Sequence, residues 1–221
     1  MVRKIVKAIA EKTAPNLVTH YRAYDRLVRI KESYLNSSGW LKSLHEERPC
    51  DSTGSALPWM AFPMIALLRE RVTKEHNLFE FGSGFSTEFY ATLAKSVVSI
   101  EHDQEWLDLI REKLPSNATV QFQPLDANGE YCRAAQKAET TPDVVVIDGR
   151  DRVNCLKETV PSCPSQTVYI FDDTHRQKYE VGLDWAVQQG YRLLRFEGLK
   201  PGGLELNQST LIYKPENVFG I

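Results

Sequence analysis

The chain has 221 residues, 42% of them hydrophobic, and a formal net charge of −2. These values predict one sizeable core and give no sign of a general nucleic-acid-binding protein. The four cysteines form no CxxC pair, so neither a zinc site nor a redox motif is indicated. No apolar run approaches the ~18 residues of a membrane span, and the start does not resemble a signal peptide, so we expect a cytoplasmic protein.

The first 56 residues are predicted to form a helical extension before a main domain over 57–221. Residues 2–12 place apolar side chains on one helical face. This suits either a helix lying on a membrane surface or one packed on the domain or on a partner subunit, as in a homo-oligomer. A second helix is predicted over 16–35, ending at the 36–39 break, followed by a loop over 45–58 and a helix over 59–72.

From residue 78, short apolar runs alternate with amphipathic stretches in five strand-then-helix units, and two further strands follow. The predicted strands cover 78–81, 97–100, 120–122, 144–147, 168–171, 191–196 and 210–213. Helices are predicted around 85–93, 107–114, 128–138 and 179–187, and the helix of the fourth unit is given no bounds. This order predicts an α/β fold with a seven-stranded, mostly parallel sheet covered by helices on both faces. No helix separates the last two strands, so the last strand can enter antiparallel.

Small and acidic residues recur where the predicted strands end. Open α/β sheets bind ligands outside the carboxyl ends of their strands, where the strand order reverses. We therefore expect these strand ends to form one site. Its candidate residues are Gly82, Ser83 and Gly84; Glu101, His102 and Asp103; Asp126; Asp148 and Arg150; and Asp172, Asp173 and His175.

The first strand leads into a glycine turn. Gly82 and Gly84 allow the backbone to approach a ligand closely, and the N-terminus of the following helix can face an anionic group. Ser86 and Thr87 are candidate caps for that helix. Thr87 stands where the dinucleotide-binding fingerprint has its third glycine, so the turn alone does not specify a dinucleotide.

Three acidic residues are candidate ligands of a nucleotide-like cofactor. Glu80 lies inside an apolar strand and needs a partner, for which an amino group of the cofactor is a candidate. Glu101 is placed to accept hydrogen bonds from ribose hydroxyls. The alternative, an acid at a helix N-terminus, explains Asp103 better than Glu101. Asp126 either reaches an adenine amino group or is simply solvated.

Asp148, Asp172 and Asp173 are expected to converge, and their charges would repel unless a cation or a proton intervenes. They could bind Mg²⁺, or one of them, Asp148 or Asp173, could act as a general base. His175 is a second candidate base. Arg150 and Arg152 either hold an anionic acceptor or pair with these acids, and pairing is expected for at least one.

Residues 57–213 resemble a family of bacterial class I S-adenosylmethionine (SAM)-dependent methyltransferases of poorly defined substrate. The matching segments are LPW at 57–59, FEFGSGxST at 79–87, SIEHDxxW at 99–106, VIDGRDRVNC at 146–155 and STLIY at 209–213. The resemblance implies a Rossmann-like fold and cofactor contacts at Glu80, Gly82, Gly84 and Glu101, with Asp148 beside the transferred methyl. The aspartates also resemble the metal site of catechol O-methyltransferase, although Asp173 stands where that enzyme has asparagine.

Three functions follow from these observations. The first is transfer of a methyl group from SAM to an oxygen, or a nitrogen, of a small molecule or glycan. The second is a non-catalytic subunit that binds a partner through residues 1–56. The third is an aminopropyltransferase that uses decarboxylated SAM, with the paired acids holding a polyamine.

Overall fold

The computed structural model describes residues 12–221, and the helix predicted over 2–12 lies almost entirely outside them. A seven-stranded sheet forms the centre of the molecule, with strand order β3-β2-β1-β4-β5-β7-β6. Its strands are β1 (Asn77–Phe81), β2 (Ser96–Glu101), β3 (Ala118–Phe122), β4 (Val144–Ile147), β5 (Val168–Phe171), β6 (Arg192–Gly198) and β7 (Asn207–Tyr213).

All neighbouring strands from β3 to β5 pair in parallel, whereas β7 is antiparallel to both β5 and β6. The prediction of a mostly parallel sheet with an antiparallel last strand is therefore confirmed. Strands β4 and β5 are buried along their whole length because helices cover both faces of the sheet.

The α-helices are α1 (Pro15–Arg29), α2 (Tyr34–Ser37), α3 (Trp40–Glu46), α4 (Phe62–Arg71), α5 (Phe85–Leu93), α6 (Gln104–Arg111), α7 (Arg152–Thr159) and α8 (Glu180–Gln188). Helices α4 and α5 contribute Met64, Leu68 and Phe89 to the core on one face of the sheet. Helices α7 and α8 contribute Leu156 and Leu183 to the core on the other face. The two cores hold the strand ends at one edge in fixed relative positions.

The single helix predicted over 16–35 was wrong, because the chain breaks after α1 and starts again as α2. Asn36 donates through Nδ2 to the carbonyls of Val28 and Ile30, both at 2.8 Å. Ser33 donates to the Leu27 carbonyl and accepts from the N–H of Asn36. These side chains satisfy the last carbonyls of α1 and the first donor of α2, so the break precedes the predicted position.

The helix predicted over 128–138 was also wrong, except for one 3₁₀ turn at Ala134–Lys137. Asp126 accepts hydrogen bonds from the backbone N–H groups of Glu130 and Tyr131, and Asn128 has a left-handed φ of 54°. A side chain that binds the backbone this way favours a turn over a helix. The connection from β3 to β4 is therefore a compact loop beside the sheet edge.

Within residues 12–221, no helix is both long enough and apolar enough to cross a membrane. The four cysteines are free thiols, and Cys50, Cys132 and Cys155 are buried.

Candidate functional site

The predicted site residues meet at the edge formed by the carboxyl ends of the parallel strands. Strand β1 lies between β2 and β4, which is where the strand order reverses. The N–H of Gly82 donates to the Ile100 carbonyl at 2.9 Å, and the N–H of Asp148 donates to the Phe81 carbonyl at 3.2 Å. The loop that follows β1 is thus bonded to β2, and the loop that follows β4 is bonded to β1, at the edge where such sheets bind ligands.

The turn after β1 requires glycine at residue 82. Gly82 has a φ of 89°, and a Cβ there would lie 2.8 Å from the Cα of Gly149. Helix α5 begins directly after this turn. The Oγ1 of Thr87 accepts from the Gly84 N–H at 3.1 Å, which caps the helix as predicted.

Ser86 does not cap the helix, because its hydroxyl donates to Glu80 instead. Among the described residues, the N–H groups of Phe85 and Ser86 have no acceptor. The start of α5 therefore keeps two backbone donors for an anionic group.

Glu80 is fully buried within β1. Its carboxylate accepts hydrogen bonds from the hydroxyls of Ser86, Thr87 and Ser99, with the Thr87 oxygen at 2.6 Å. Burial raises the pKa of Glu80 to about 7, although the three hydroxyls oppose this shift. The chain itself thus supplies hydrogen-bond partners for Glu80, and the carboxyl ties β1 and β2 to the start of α5. The contact of Glu80 with an amino group of a cofactor remains a prediction.

Glu101 ends β2 directly beside the glycine turn, and only 3% of the residue is exposed. Its Oε2 accepts from the Ser83 N–H at 3.0 Å and from the Ser83 hydroxyl at 2.8 Å. Its Oε1 accepts from the N–H groups of His102 and Asp103, at 2.8 and 3.0 Å. A carboxylate held by four donors is fixed in position.

Asp103 has the helix-end role that the sequence favoured for it. Its Oδ1 accepts from the Trp106 N–H at 3.1 Å and caps α6. The Trp106 indole then donates to the Ser83 carbonyl at 2.9 Å. Helix α6 and the glycine turn are therefore linked through one aromatic side chain, a contact that the sequence analysis missed.

Tyr131 is a second residue that the sequence analysis missed. It is fully buried, its hydroxyl accepts from the Arg150 N–H at 3.3 Å, and its ring lies 6.1 Å from that of His102. Asp126 holds this tyrosine, because its carboxylate accepts from the Tyr131 N–H at 3.0 Å. The hydrogen bonds from the backbone N–H groups of Tyr131 and Glu130 lower the pKa of Asp126. The structure thus assigns Asp126 a turn-forming contact, and its contact with adenine remains a prediction.

Asp148, Asp172 and Asp173 converge as predicted, with one oxygen of each lying within 4.8 Å of the others. Arg152 provides the intervening cation. Its guanidinium lies 2.8 Å from Asp148 Oδ1 and 3.3 Å from Asp173 Oδ2, and it donates to the Asp172 carbonyl at 2.8 Å. The prediction that at least one arginine pairs with these acids is confirmed for Arg152.

Strand β7 supplies further partners for the two aspartates that follow β5. Ser209 donates to Asp172, and Asn207 donates to Asp173 at 2.9 Å. Arg176 adds an ion pair to Asp173 at 2.9 Å. Strand β7 begins with four polar residues at 207–210, and all four are buried. This polar run was the signal in the sequence from which these contacts could have been predicted.

Protonation also relieves the repulsion in this cluster. Burial, reinforced by the charges of Asp148 and Asp173, raises the pKa of Asp172 well above its ordinary value. Burial also raises the pKa of Asp148, while Arg152 opposes the shift and a hydrogen bond from Asp172 lowers it. A proton on Asp172 that is donated to Asp148 fits these directions.

The cluster does not fit a Mg²⁺ site. An ion that bound all three carboxylates would have to displace Arg152 from Asp148 and Asp173. Asp173 also has Arg176 as a partner, so the countercharge that Mg²⁺ would supply is already present in the chain.

Arg150 and His175 lie at the surface instead of in the cluster. Within residues 12–221, neither side chain makes a hydrogen bond or an ion pair. The roles expected for Arg150 as an anion ligand and for His175 as a base remain predictions. Within the cluster, Asp148 is the most exposed acid, and 24% of its side chain is accessible to solvent.

No protein-family model and no curated protein matches this sequence. Solved structures do match. A methyltransferase-like protein from Silicibacter pomeroyi is 23% identical, with a TM-score of 0.51 over 72% of this chain and 90% of that chain. A precorrin-6y C5,15-methyltransferase from Geobacter metallireducens is 15% identical, with a TM-score of 0.51 over 68% and 87% of the two chains.

A third match is a Streptococcus mutans protein crystallised with S-adenosylhomocysteine (SAH), which is 13% identical with a TM-score of 0.51 over 71% of this chain and 99% of that chain. These similarities, together with the strand order and the antiparallel β7, show that the chain has the Rossmann-like fold of class I methyltransferases.

Proposed function

We propose that this protein is a SAM-dependent methyltransferase. The observation that carries the proposal is the direct contact of the Glu101 carboxylate with the Ser83 N–H and hydroxyl, which joins the end of β2 to the glycine turn on this fold. A nucleoside ligand needs both elements at that edge: a carboxylate for its ribose hydroxyls and a glycine turn that the ligand can approach closely. The SAH complex of the Streptococcus mutans protein supports the same choice of cofactor.

The residues at the edge fit SAM in chemistry. Ribose hydroxyls would donate to Glu101 in place of the Ser83 hydroxyl, which can rotate away. The free N–H groups of Phe85 and Ser86 suit the cofactor carboxylate. His102 and Asp126, which both contact Tyr131, are the residues proposed to contact adenine. Bound SAM would supply an electrophilic methyl group, and the acidic cluster favours its positive charge.

Asp148 is the residue we assign to proton transfer. Asp172 and Asp173 are almost fully buried and held by β7, whereas Asp148 faces solvent and keeps one ion pair, with Arg152. A carboxylate of raised pKa is a stronger base than an ordinary one. It would accept the proton of an acceptor hydroxyl, or of a nitrogen, on a small molecule or glycan as the methyl group is transferred.

The described part of the extension, residues 12–56, is proposed as an accessory segment on the acceptor side of this site. The Trp40 indole of α3 donates to the Gly203 carbonyl at 2.6 Å. Just after the extension, the Trp59 indole of the main domain donates to the Pro201 carbonyl at 2.8 Å. These carbonyls belong to the β6–β7 loop, which leads directly to Asn207 and therefore to Asp173. A change in the extension can thus reach the acidic cluster through this loop.

Calorimetric titration with SAM and with SAH tests the proposal. We expect binding by the natural protein and at least tenfold weaker binding by Glu101→Gln, because two charge-assisted hydrogen bonds are weakened. Glu105→Gln is the matched control, since Glu105 is an exposed glutamate in the neighbouring helix α6. Absence of heat with either compound, with a folded protein shown by circular dichroism, would refute the proposal.

A further inference from the structure

Helix α1 exposes an apolar stripe that the fold does not use. None of its 15 residues is buried. Leu17, Tyr21, Tyr24 and Val28 follow the i, i+4, i+7, i+11 spacing that places them on one face. The first three are 70%, 59% and 62% exposed. A contiguous apolar face of this kind marks an interaction surface.

The opposite face of α1 is basic, with Arg22, Arg26 and Arg29 at i, i+4 and i+7. Arg29 forms an exposed i,i+4 pair with Asp25 at 3.0 Å. The positive charge extends along the N-terminal part of the chain, since residues 1–31 contain eight Lys or Arg and two Asp or Glu. Residues 32–221 contain 19 Lys or Arg and 27 Asp or Glu. The N-terminal segment therefore has a net charge of +6 and the remainder −8, which is a strong asymmetry.

Three kinds of partner could bind α1, and they differ in whether they use its apolar stripe, its basic face or both. A nucleic acid would engage the arginines and leave the apolar stripe in water. A second copy of the chain could bury the stripe, but it would bring two strongly basic segments together. An anionic bilayer uses both features, because the stripe enters the headgroup region while the basic side chains stay near the charged surface.

We propose that α1 is a docking helix for an anionic membrane surface. The helix, about 22 Å long at 1.5 Å per residue, lies in the plane of the interface with Leu17, Tyr21 and Tyr24 inserted. Tyrosine suits this position because its ring is apolar and its hydroxyl remains in the hydrated layer. The proposal is independent of methyl transfer, since α1 contributes no residue to the site described above.

Vesicle co-sedimentation of the full chain is the test. We expect binding to vesicles of mixed phosphatidylcholine and phosphatidylglycerol, weak binding to phosphatidylcholine alone, and loss of binding as salt is raised. The double variant Tyr21→Glu/Tyr24→Glu should bind at least tenfold more weakly. Leu109→Glu/Val181→Glu adds the same charge at two exposed apolar residues elsewhere and should change binding by less than twofold.

Three results would overturn the proposal: no binding to the mixed vesicles, equal binding to both kinds of vesicle, or equal loss in the two double variants. A dimer in analytical ultracentrifugation that only Tyr21→Glu/Tyr24→Glu dissolves would assign the stripe to a second copy instead. SAH titration of the same variant should match that of the natural protein, which keeps this test separate from that of the proposed function.

Discussion

Replacing Glu80 by glutamine tests how a buried carboxyl in β1 contributes to stability as pH changes. Burial raises the pKa of Glu80 from 4.5 to about 7. The folded protein therefore binds the Glu80 proton more tightly than the unfolded chain does. This stabilisation is fully present below about pH 4.5 and is lost as pH rises towards 7.

The difference between the two pKa values corresponds to about 3 kcal/mol of unfolding free energy. Glutamine has the shape of the protonated carboxyl and cannot ionise. The unfolding free energy of the natural protein, measured relative to Glu80→Gln, should therefore fall by about 2–3 kcal/mol between pH 4.5 and pH 8. Urea denaturation of both proteins at each pH gives this difference directly.

Glu88→Gln controls for the loss of a carboxylate, because Glu88 is an exposed glutamate in the same helix as Ser86 and Thr87. Its stability relative to the natural protein should vary by less than about 0.5 kcal/mol over the same pH range. If the difference between the natural protein and Glu80→Gln is constant with pH, the hydroxyls of Ser86, Thr87 and Ser99 hold Glu80 ionised throughout, and the reasoning from burial is refuted.

Three further predictions concern stability and are measured by urea or thermal denaturation. Arg152→Met leaves Asp148 and Asp173 without their shared cation and should lower the unfolding free energy by about 3–5 kcal/mol. The exposed control Arg150→Met should lower it by about 0.5 kcal/mol or less, and equal losses in the two variants would contradict the ion pairs of Arg152. Gly82→Ala should cost about 1–3 kcal/mol more than Gly190→Ala, because both glycines have a left-handed φ but only Gly82 has backbone within 3 Å of the added Cβ. Asp103→Ala should cost about 1 kcal/mol through loss of the α6 cap, and no loss would rule out that cap.

The alternation of apolar runs and amphipathic helices was sufficient to predict all seven strands and the antiparallel β7. Hydrophobic periodicity is a local property, and each strand contributes its own apolar run, so these predictions did not depend on distant contacts. Two errors fell where side chains bind the backbone, at Asn36 before α2 and at Asp126 before the 3₁₀ turn. Helices α3 and α7 had no predicted range. Such hydrogen bonds depend on local geometry that residue periodicity does not describe.

That acidic and small residues follow the parallel strands could be predicted from the order of residues alone, and parallel strands bring such residues to one edge of the sheet. How those residues pair with one another became visible only in the folded chain. Ser99 completes the hydroxyl set around Glu80, Arg152 separates Asp148 from Asp173, and Asn207 reaches Asp173 from the antiparallel strand. Buried polar groups find their partners by position in space, and residues 34 apart in the chain, such as Asp173 and Asn207, become neighbours only when the sheet has formed.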